Sequence, residues 1–189
     1  MSAPKREHLL QIAETVFSRE GFKGVSVDRI LKQAGEKMTL YKGFESKEAL
    51  ICETLRRRAE RLASHIEHTV ESAGSKPVDR LASCFDAMES WSKRADFNGC
   101  YFVNALGEFA TEDSCVGLIV RDYKYRFLSR LEDLCVACGA QEPRSLARSL
   151  LMLIDGATIT HMTLGDINSY ARAKSAALHL ISVNLCNSD

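Results

Sequence analysis

No stretch of these 189 residues is apolar for long enough to cross a bilayer. A membrane helix needs about 18–20 consecutive apolar positions, whereas the longest serious candidate, Leu150 to Ile154, ends at Asp155. Met1 to His8 brings charge with no apolar segment behind it, unlike a secretory signal, so a cytoplasmic protein without membrane contact is expected. An excess of one charge is also missing: 25 Lys/Arg balance 25 Asp/Glu. With 46% hydrophobic residues, this balance excludes a disordered, self-repelling chain and a uniformly basic coat for nucleic acid. Proline is scarce, and Pro4, Pro77 and Pro143 each stand just ahead of a helical pattern, where a missing N–H costs nothing. No run combines period-two alternation with Asn-Gly or Asp-Gly turns, so no hairpin is expected. A glycine-rich phosphate loop, a Gly-x-Ser-x-Gly elbow and an HExxH pair are all lacking, which points away from the common enzymes. No catalytic residue or cofactor is expected.

Seven cysteines are an odd number scattered among apolar neighbours, unlike the dense even framework of a small secreted fold, so most are expected to be reduced and buried. Cys135 and Cys138 form a CxxC without a strand before it or a second ligand pair to complete a zinc tetrahedron. His65 and His68 lie three apart, but the pattern places no third ligand beside them and a solvated face is expected. No metal is anticipated.

What is present is helical periodicity. Leu9, Ile12, Ala13, Val16 and Phe17 make one apolar stripe on a helix from about Lys5 to Glu20, ended by Gly21. Phe22 then tucks inward, and Ser26 caps a short helix with Val27, Ile30, Leu31 and Ala34 on its stripe, ended by Gly35. A third short segment runs from Lys37 to Phe44, and Ser46 caps a long connector helix from Lys47 to about Ala73. Further stripes follow to Leu185, giving an all-α fold of about nine helices.

Zero net charge hides an asymmetry: residues 1–62 hold thirteen Lys/Arg against nine Asp/Glu, leaving the remainder acidic by the same margin. Two short helices joined by a tight glycine turn and buttressed by a third make a helix-turn-helix. Such a unit lays its second helix in the major groove while its neighbours hold phosphates. Lys37, Thr39, Tyr41 and Lys42 suit that helix, with Thr39 for a base edge and Tyr41 and Lys42 for phosphate oxygens. Lys47 occupies the first turn of the long helix, where exposed N–H groups already favour a phosphate.

The stretch Ala34-Gly35-Glu36-Lys37-Met38-Thr39-Leu40-Tyr41-Lys42-Gly43-Phe44-Glu45-Ser46-Lys47-Glu48-Ala49-Leu50 resembles the signature of the TetR (tetracycline repressor) family of bacterial transcription regulators. Ala13, Phe17, Gly21-Phe22, Ser26-Val27 and Ile30 match it as well. Two departures stand out: the segment before Thr39 is one residue short, and Gly43 replaces a frequent His. The resemblance implies a homodimer with a helix-turn-helix DNA-binding domain at residues 1–50 and a helical effector-binding and dimerisation domain at 51–189. It implies a repressor on a palindromic double-stranded operator, released by a small-molecule or thiol-reactive effector, with Ser26, Lys37, Thr39, Tyr41, Lys42 and Lys47 at the DNA. The last two helices, with Gly156, Ala157, Ala173, Ala176 and Ala177, would then form a four-helix bundle between protomers.

The candidates for an effector pocket are Phe85, Met88, Trp91, Cys100, Phe102, Phe109, Tyr123, Phe127, Met152 and His161, each of which also suits plain core packing. Asn98-Gly99-Cys100-Tyr101-Phe102 resembles a segment in a subset of these regulators that sense electrophiles or oxidants through a thiol. A thiol at a helix start has a dipole to stabilise its thiolate, and burial would cancel that advantage. Two other readings compete with the regulator: a thiol-reactive or metal-binding helical protein centred on Cys100 and Cys135/Cys138, and a helical protein-interaction adaptor without DNA binding.

Overall fold

The apolar spacing becomes eight helices in a computed structural model of the chain, which describes residues 3–35, 44–109 and 114–185. They are α1 (Ala3–Glu20), α2 (Val27–Gln33), α3 (Lys47–Ser72), α4 (Pro77–Ser92), α5 (Tyr101–Glu108), α6 (Cys115–Ala137), α7 (Pro143–Leu164) and α8 (Ser169–Asn184). Among the described residues there is no strand, only an isolated antiparallel bridge between Ala140 and Leu185. The short helix expected over 37–44 lies outside the described residues except for Phe44, which is buried. Gly21 and Gly35 adopt positive φ of 80° and 68° after α1 and α2, which explains why a side chain is absent at both stops. Pro77 and Pro143 open α4 and α7 as expected.

Two compact units can be distinguished, Met1–Arg61 with Cys100–Asp122, and Leu62–Gly99 with Tyr123–Asp189. The first is built on the α1 stripe. Leu9, Leu10, Ala13, Val16 and Phe17 are buried there with Ile30 and Leu31 of α2, Leu50, Ile51 and Leu55 of α3, and Tyr101, Phe102 and Ala105 of α5. Phe22 is fully buried, stacks on Phe17 at 5.3 Å and lies 4.9 Å from the Tyr101 ring. Ile12, expected on the same stripe, is only half-buried, and the position that faces inward is the charged Glu14, 3% exposed.

Glu14 is held by three arginines of α3: Arg57 at 3.0 Å, Arg58 at 2.8 Å and Arg61 at 2.9 Å. Arg57 also reaches Glu7 at 2.6 Å, and the Arg58 guanidinium lies 5.6 Å from the Tyr101 ring centre. The Tyr101 hydroxyl donates to Thr54 Oγ1 at 3.0 Å, and burial raises its pKa against the pull of that hydrogen bond. A carboxylate taken out of water is tolerable only when charge and hydrogen bonds surround it.

In the second unit α4, α7 and α8 pack on one another. Leu81, Phe85, Met88 and Trp91 of α4 are buried, as are Leu146, Leu150 and Ile154 of α7 and Ala173, Ala177 and Ile181 of α8. Tyr170 is 1% exposed and donates to Thr158 Oγ1 at 3.0 Å. Lys174 pairs with Asp86 at 2.6 Å and Arg130 with Glu67 at 2.5 Å. His65 departs from the expected solvated face: it is half-buried, with Nε2 at 2.8 Å from Ser90 Oγ and its ring 5.4 Å from Trp91. His68 is exposed.

Removing the Glu14 charge leaves Arg58, itself 2% exposed, without its carboxylate. Glu14→Gln is expected to destabilise the fold by about 3–5 kcal/mol, seen as a lower urea midpoint than wild type. An unchanged midpoint would show that the cluster contributes nothing.

Candidate nucleic-acid interface

Ser26 and Ser46 set the geometry of the N-terminal unit. Ser26 Oγ accepts from Arg29 N at 3.2 Å and Ser46 Oγ from Ala49 N at 3.0 Å, so each serine satisfies a free donor at the first turn of α2 or α3. Both serines are exposed, and Ser26 is thus placed at the surface end of α2, where the sequence put it. Lys47 is the first residue of α3. A lysine there opposes the helix dipole, and its conflict is met inside the protein: Nζ donates to the Lys23 carbonyl at 2.9 Å. Burial lowers the Lys47 pKa, and the Glu108 carboxylate pulls it back up.

Glu108 was not legible as a site residue. It is the last residue of α5, where a carboxylate faces the negative end of the helix dipole. It is compensated by two backbone donors 85 and 86 residues away, Lys23 N at 2.6 Å and Phe22 N at 2.8 Å. A Cβ on Gly21 would stand 2.9 Å from Glu108 Oε1, so the bare glycine lets the carboxylate close on this loop. One acidic side chain thereby fixes the turn between α1 and α2 and biases the charge of Lys47. Nothing in local sequence pattern signals a contact of that chain separation.

Around this arrangement the first unit carries other cations. Lys23 lies 5.4 Å from the Phe109 ring, Arg6 lies 4.8 Å from the Phe44 ring and pairs with Glu53, and Arg29 pairs with Glu20 at 2.6 Å. Lys37, Thr39, Tyr41 and Lys42, the residues expected to meet bases and phosphates, lie outside the described residues.

The ten candidates for an effector pocket divide between the units. Cys100, Phe102 and Phe109 belong to the first: Phe102 is buried, Phe109 is half-buried, and Cys100 is the half-buried N-cap of α5. Phe85, Met88, Trp91, Tyr123, Phe127, Met152 and His161 belong to the second, where the first five are buried. His161 is half-buried, with Nδ1 at 3.2 Å from the Asp166 carbonyl and its ring 5.9 Å from both Phe97 and Tyr170. Met152 is 68% exposed on the outer stripe of α7 that also carries Gly156 and Ile159. An open groove of about 270 Å³ in the second unit is lined by Tyr125, Leu128, Ser129, Glu132, Arg144 and Arg148, none of which the sequence singled out. No group of three or more metal-ligating side chains exists among the described residues.

Part of the N-terminal segment matches a known family. The sequence profile of bacterial regulatory proteins, tetR family, matches residues 9–54. The HTH-type transcriptional repressor KstR2 of Mycolicibacterium smegmatis is 35% identical over 86 residues, a stretch that is 45% of this chain and 42% of that repressor. A TetR-family regulator of Streptomyces coelicolor, SCO4454, superposes with a TM-score of 0.83 at 24% identity, covering 96% of this chain and 94% of that one. A TetR regulator of Chloroflexus aurantiacus gives 0.84 at 21%, covering 95% and 94%. The structural likeness covers nearly the whole chain, while the family profile covers residues 9–54 and the KstR2 match 86 residues. The chain is thus similar to TetR-family regulators, in sequence over residues 9–54 and in fold over nearly its whole length.

Glu108→Gln keeps the shape and removes the charge. It is expected to cost about 1–3 kcal/mol of stability as the two loop amides lose their anionic acceptor, and to shift the Lys47 pKa further down, read by NMR titration of the lysine side chain. A Lys47 titration identical to wild type would remove Glu108 from the site.

Proposed function

We propose that the protein is a dimeric DNA-binding transcriptional repressor, released from a palindromic operator by a small effector and acting by binding rather than catalysis. The observation that carries the reading is the placement of Lys47 in the first turn of α3, beside the Glu108-anchored loop and within the segment that matches the family. Its amine is held at the positive end of a 26-residue helix and gives up solvation there, a cost that a phosphate oxygen offsets. DNA reading is assigned to residues 1–50, with Ser26, Lys37, Thr39, Tyr41, Lys42 and Lys47 at the duplex. Effector binding and dimerisation are assigned to residues 51–189. The cytoplasm is the proposed location, and no helix among the described residues is long and apolar enough to cross a membrane.

Two readers must stand about 34–36 Å apart to meet both half-sites of one operator. The outward positions of α7 and α8 supply an apolar surface for pairing: Met152, Ile159 and Leu164 are 68%, 42% and 77% exposed, and Leu178 and Val183 are 40% and 62% exposed. Gly156 and Ala176 are exposed on the same helices and permit close backbone approach. Met152 is therefore assigned to the pairing face. The effector is assigned to the aromatic interior around Phe85, Met88, Trp91, Tyr123, Phe127 and His161.

Fluorescence anisotropy on an operator duplex tests the assignment. Lys47→Ala is expected to weaken specific and random duplexes alike, by about three- to tenfold, and to lower the salt slope by about one. Thr39→Ala is expected instead to change sequence preference. Indifference of both variants to DNA would overturn the site. Ile159→Asp with Leu178→Asp is expected to sediment as a monomer and to lose high-affinity binding, while a dimeric double variant would move the pairing face elsewhere.

A further inference from the structure

Two of the cysteines are not the inert buried thiols that the composition suggests. Cys52, in the second turn of α3, and Cys115, the first residue of α6, are paired sulfur to sulfur, with Cα atoms 6.4 Å apart and 63 residues between them in sequence. That Cα separation lies inside the disulfide range of about 4.4–6.8 Å. The two sulfurs differ in their surroundings. Cys52 is 2% exposed, whereas Cys115 is half-buried, with Arg56 Nη2 at 3.7 Å from its sulfur. Ser114 caps α6 by accepting from Gly117 N at 3.0 Å, which leaves Cys115 on the helix's positive end. A guanidinium and a helix start beside the sulfur of the less buried residue both favour negative charge there.

We propose that Cys115 and Cys52 form a dithiol reactive toward hydrogen peroxide, with Cys115 as the attacking thiol and Cys52 as the resolving thiol. The Cys115 thiolate attacks one peroxide oxygen: an S–O bond forms, the O–O bond breaks, and the other oxygen leaves as water once protonated. Cys115 is then a sulfenic acid. The Cys52 sulfur attacks it, the S–S bond forms, the S–O bond breaks, and the hydroxyl departs as a second water with the Cys52 proton. Two electrons pass from the sulfurs to one peroxide, and two waters are released.

The other described thiols are poor competitors. Cys84 and Cys135 are buried, and burial pushes each thiol up to about 12; burial also raises Cys138. Cys100, half-buried at the start of α5, lies outside the pair. The proposal does not depend on DNA binding, because both sulfurs and Arg56 lie in the first unit and the reaction is read on the sulfurs themselves.

The test uses the full-length chain, reduced and desalted, then exposed to one equivalent of hydrogen peroxide and quenched with N-ethylmaleimide. Peptide mass spectrometry without reductant is expected to recover one cross-linked species joining the Cys52 and Cys115 peptides. Cys52→Ala is expected to stop at a dimedone-trapped sulfenic acid on Cys115, and Cys115→Ser to leave Cys52 in the thiol form. Arg56→Met is expected to slow the reaction roughly tenfold, the effect of one unit in thiol pKa, with the circular dichroism spectrum confirming that each variant is folded. Oxidation of Cys100 or Cys135 ahead of Cys115, a Cys115 that stays reduced, or an unchanged rate in Arg56→Met would each overturn the assignment.

Discussion

The N-terminal unit depends on a carboxylate buried where a hydrophobic residue would ordinarily sit. Glu14 projects from the apolar stripe of α1, and three arginines from two successive turns of α3 converge on it. Such a cluster fixes direction as well as distance, because a guanidinium fork meets a carboxylate in few geometries. A purely aliphatic contact between α1 and α3 would tolerate sliding. The ion cluster specifies one register, and Arg58 extends it to Tyr101 and so to α5. α1 is thus mounted on α3 by electrostatics as much as by apolar burial.

From that mount the remaining geometry follows in short steps. α5 ends in Glu108, whose two oxygens hold the backbone at Phe22 and Lys23, and the Lys23 carbonyl in turn holds the Lys47 amine. The cation at the start of α3 is positioned by the turn between α1 and α2. The turn is positioned by an acidic side chain far along the chain. A residue far along the chain therefore acts on the cation at the start of α3. The Cys52–Cys115 pair lies in the same unit and makes a covalent version of such a long-range tie, between α3 and α6.

Much of the local structure was readable from residue order. The left-handed stops at Gly21 and Gly35, the serine caps at 26 and 46, and the proline starts at 77 and 143 are decided by a few neighbouring residues, and the structure has each of them. The all-α class followed from the 3.6-residue spacing. What pattern could not reveal was partnership across the chain. Glu14 reads as a solvated helix position until Arg57, Arg58 and Arg61 are seen to face it. Glu108 gives no local cue because its partners are backbone amides. Cys52 and Cys115 share no motif, since their pairing follows from how α3 and α6 pack. His65 looked like a surface residue because its partners, Ser90 and Trp91, come from α4.

A regulator that reads two half-sites needs a reader with a fixed cation and a second copy at the right distance. The first requirement has its support in the Lys47 environment and the second in the apolar outer stripes of α7 and α8. Both meet in one observable, the footprint of the full-length protein on the genomic fragment it selects most tightly. The account requires protection of an inverted repeat, symmetrical about its centre, with half-sites about one helical turn apart. Failure to enrich any fragment over random sequence, or protection confined to one unpaired half, would contradict it.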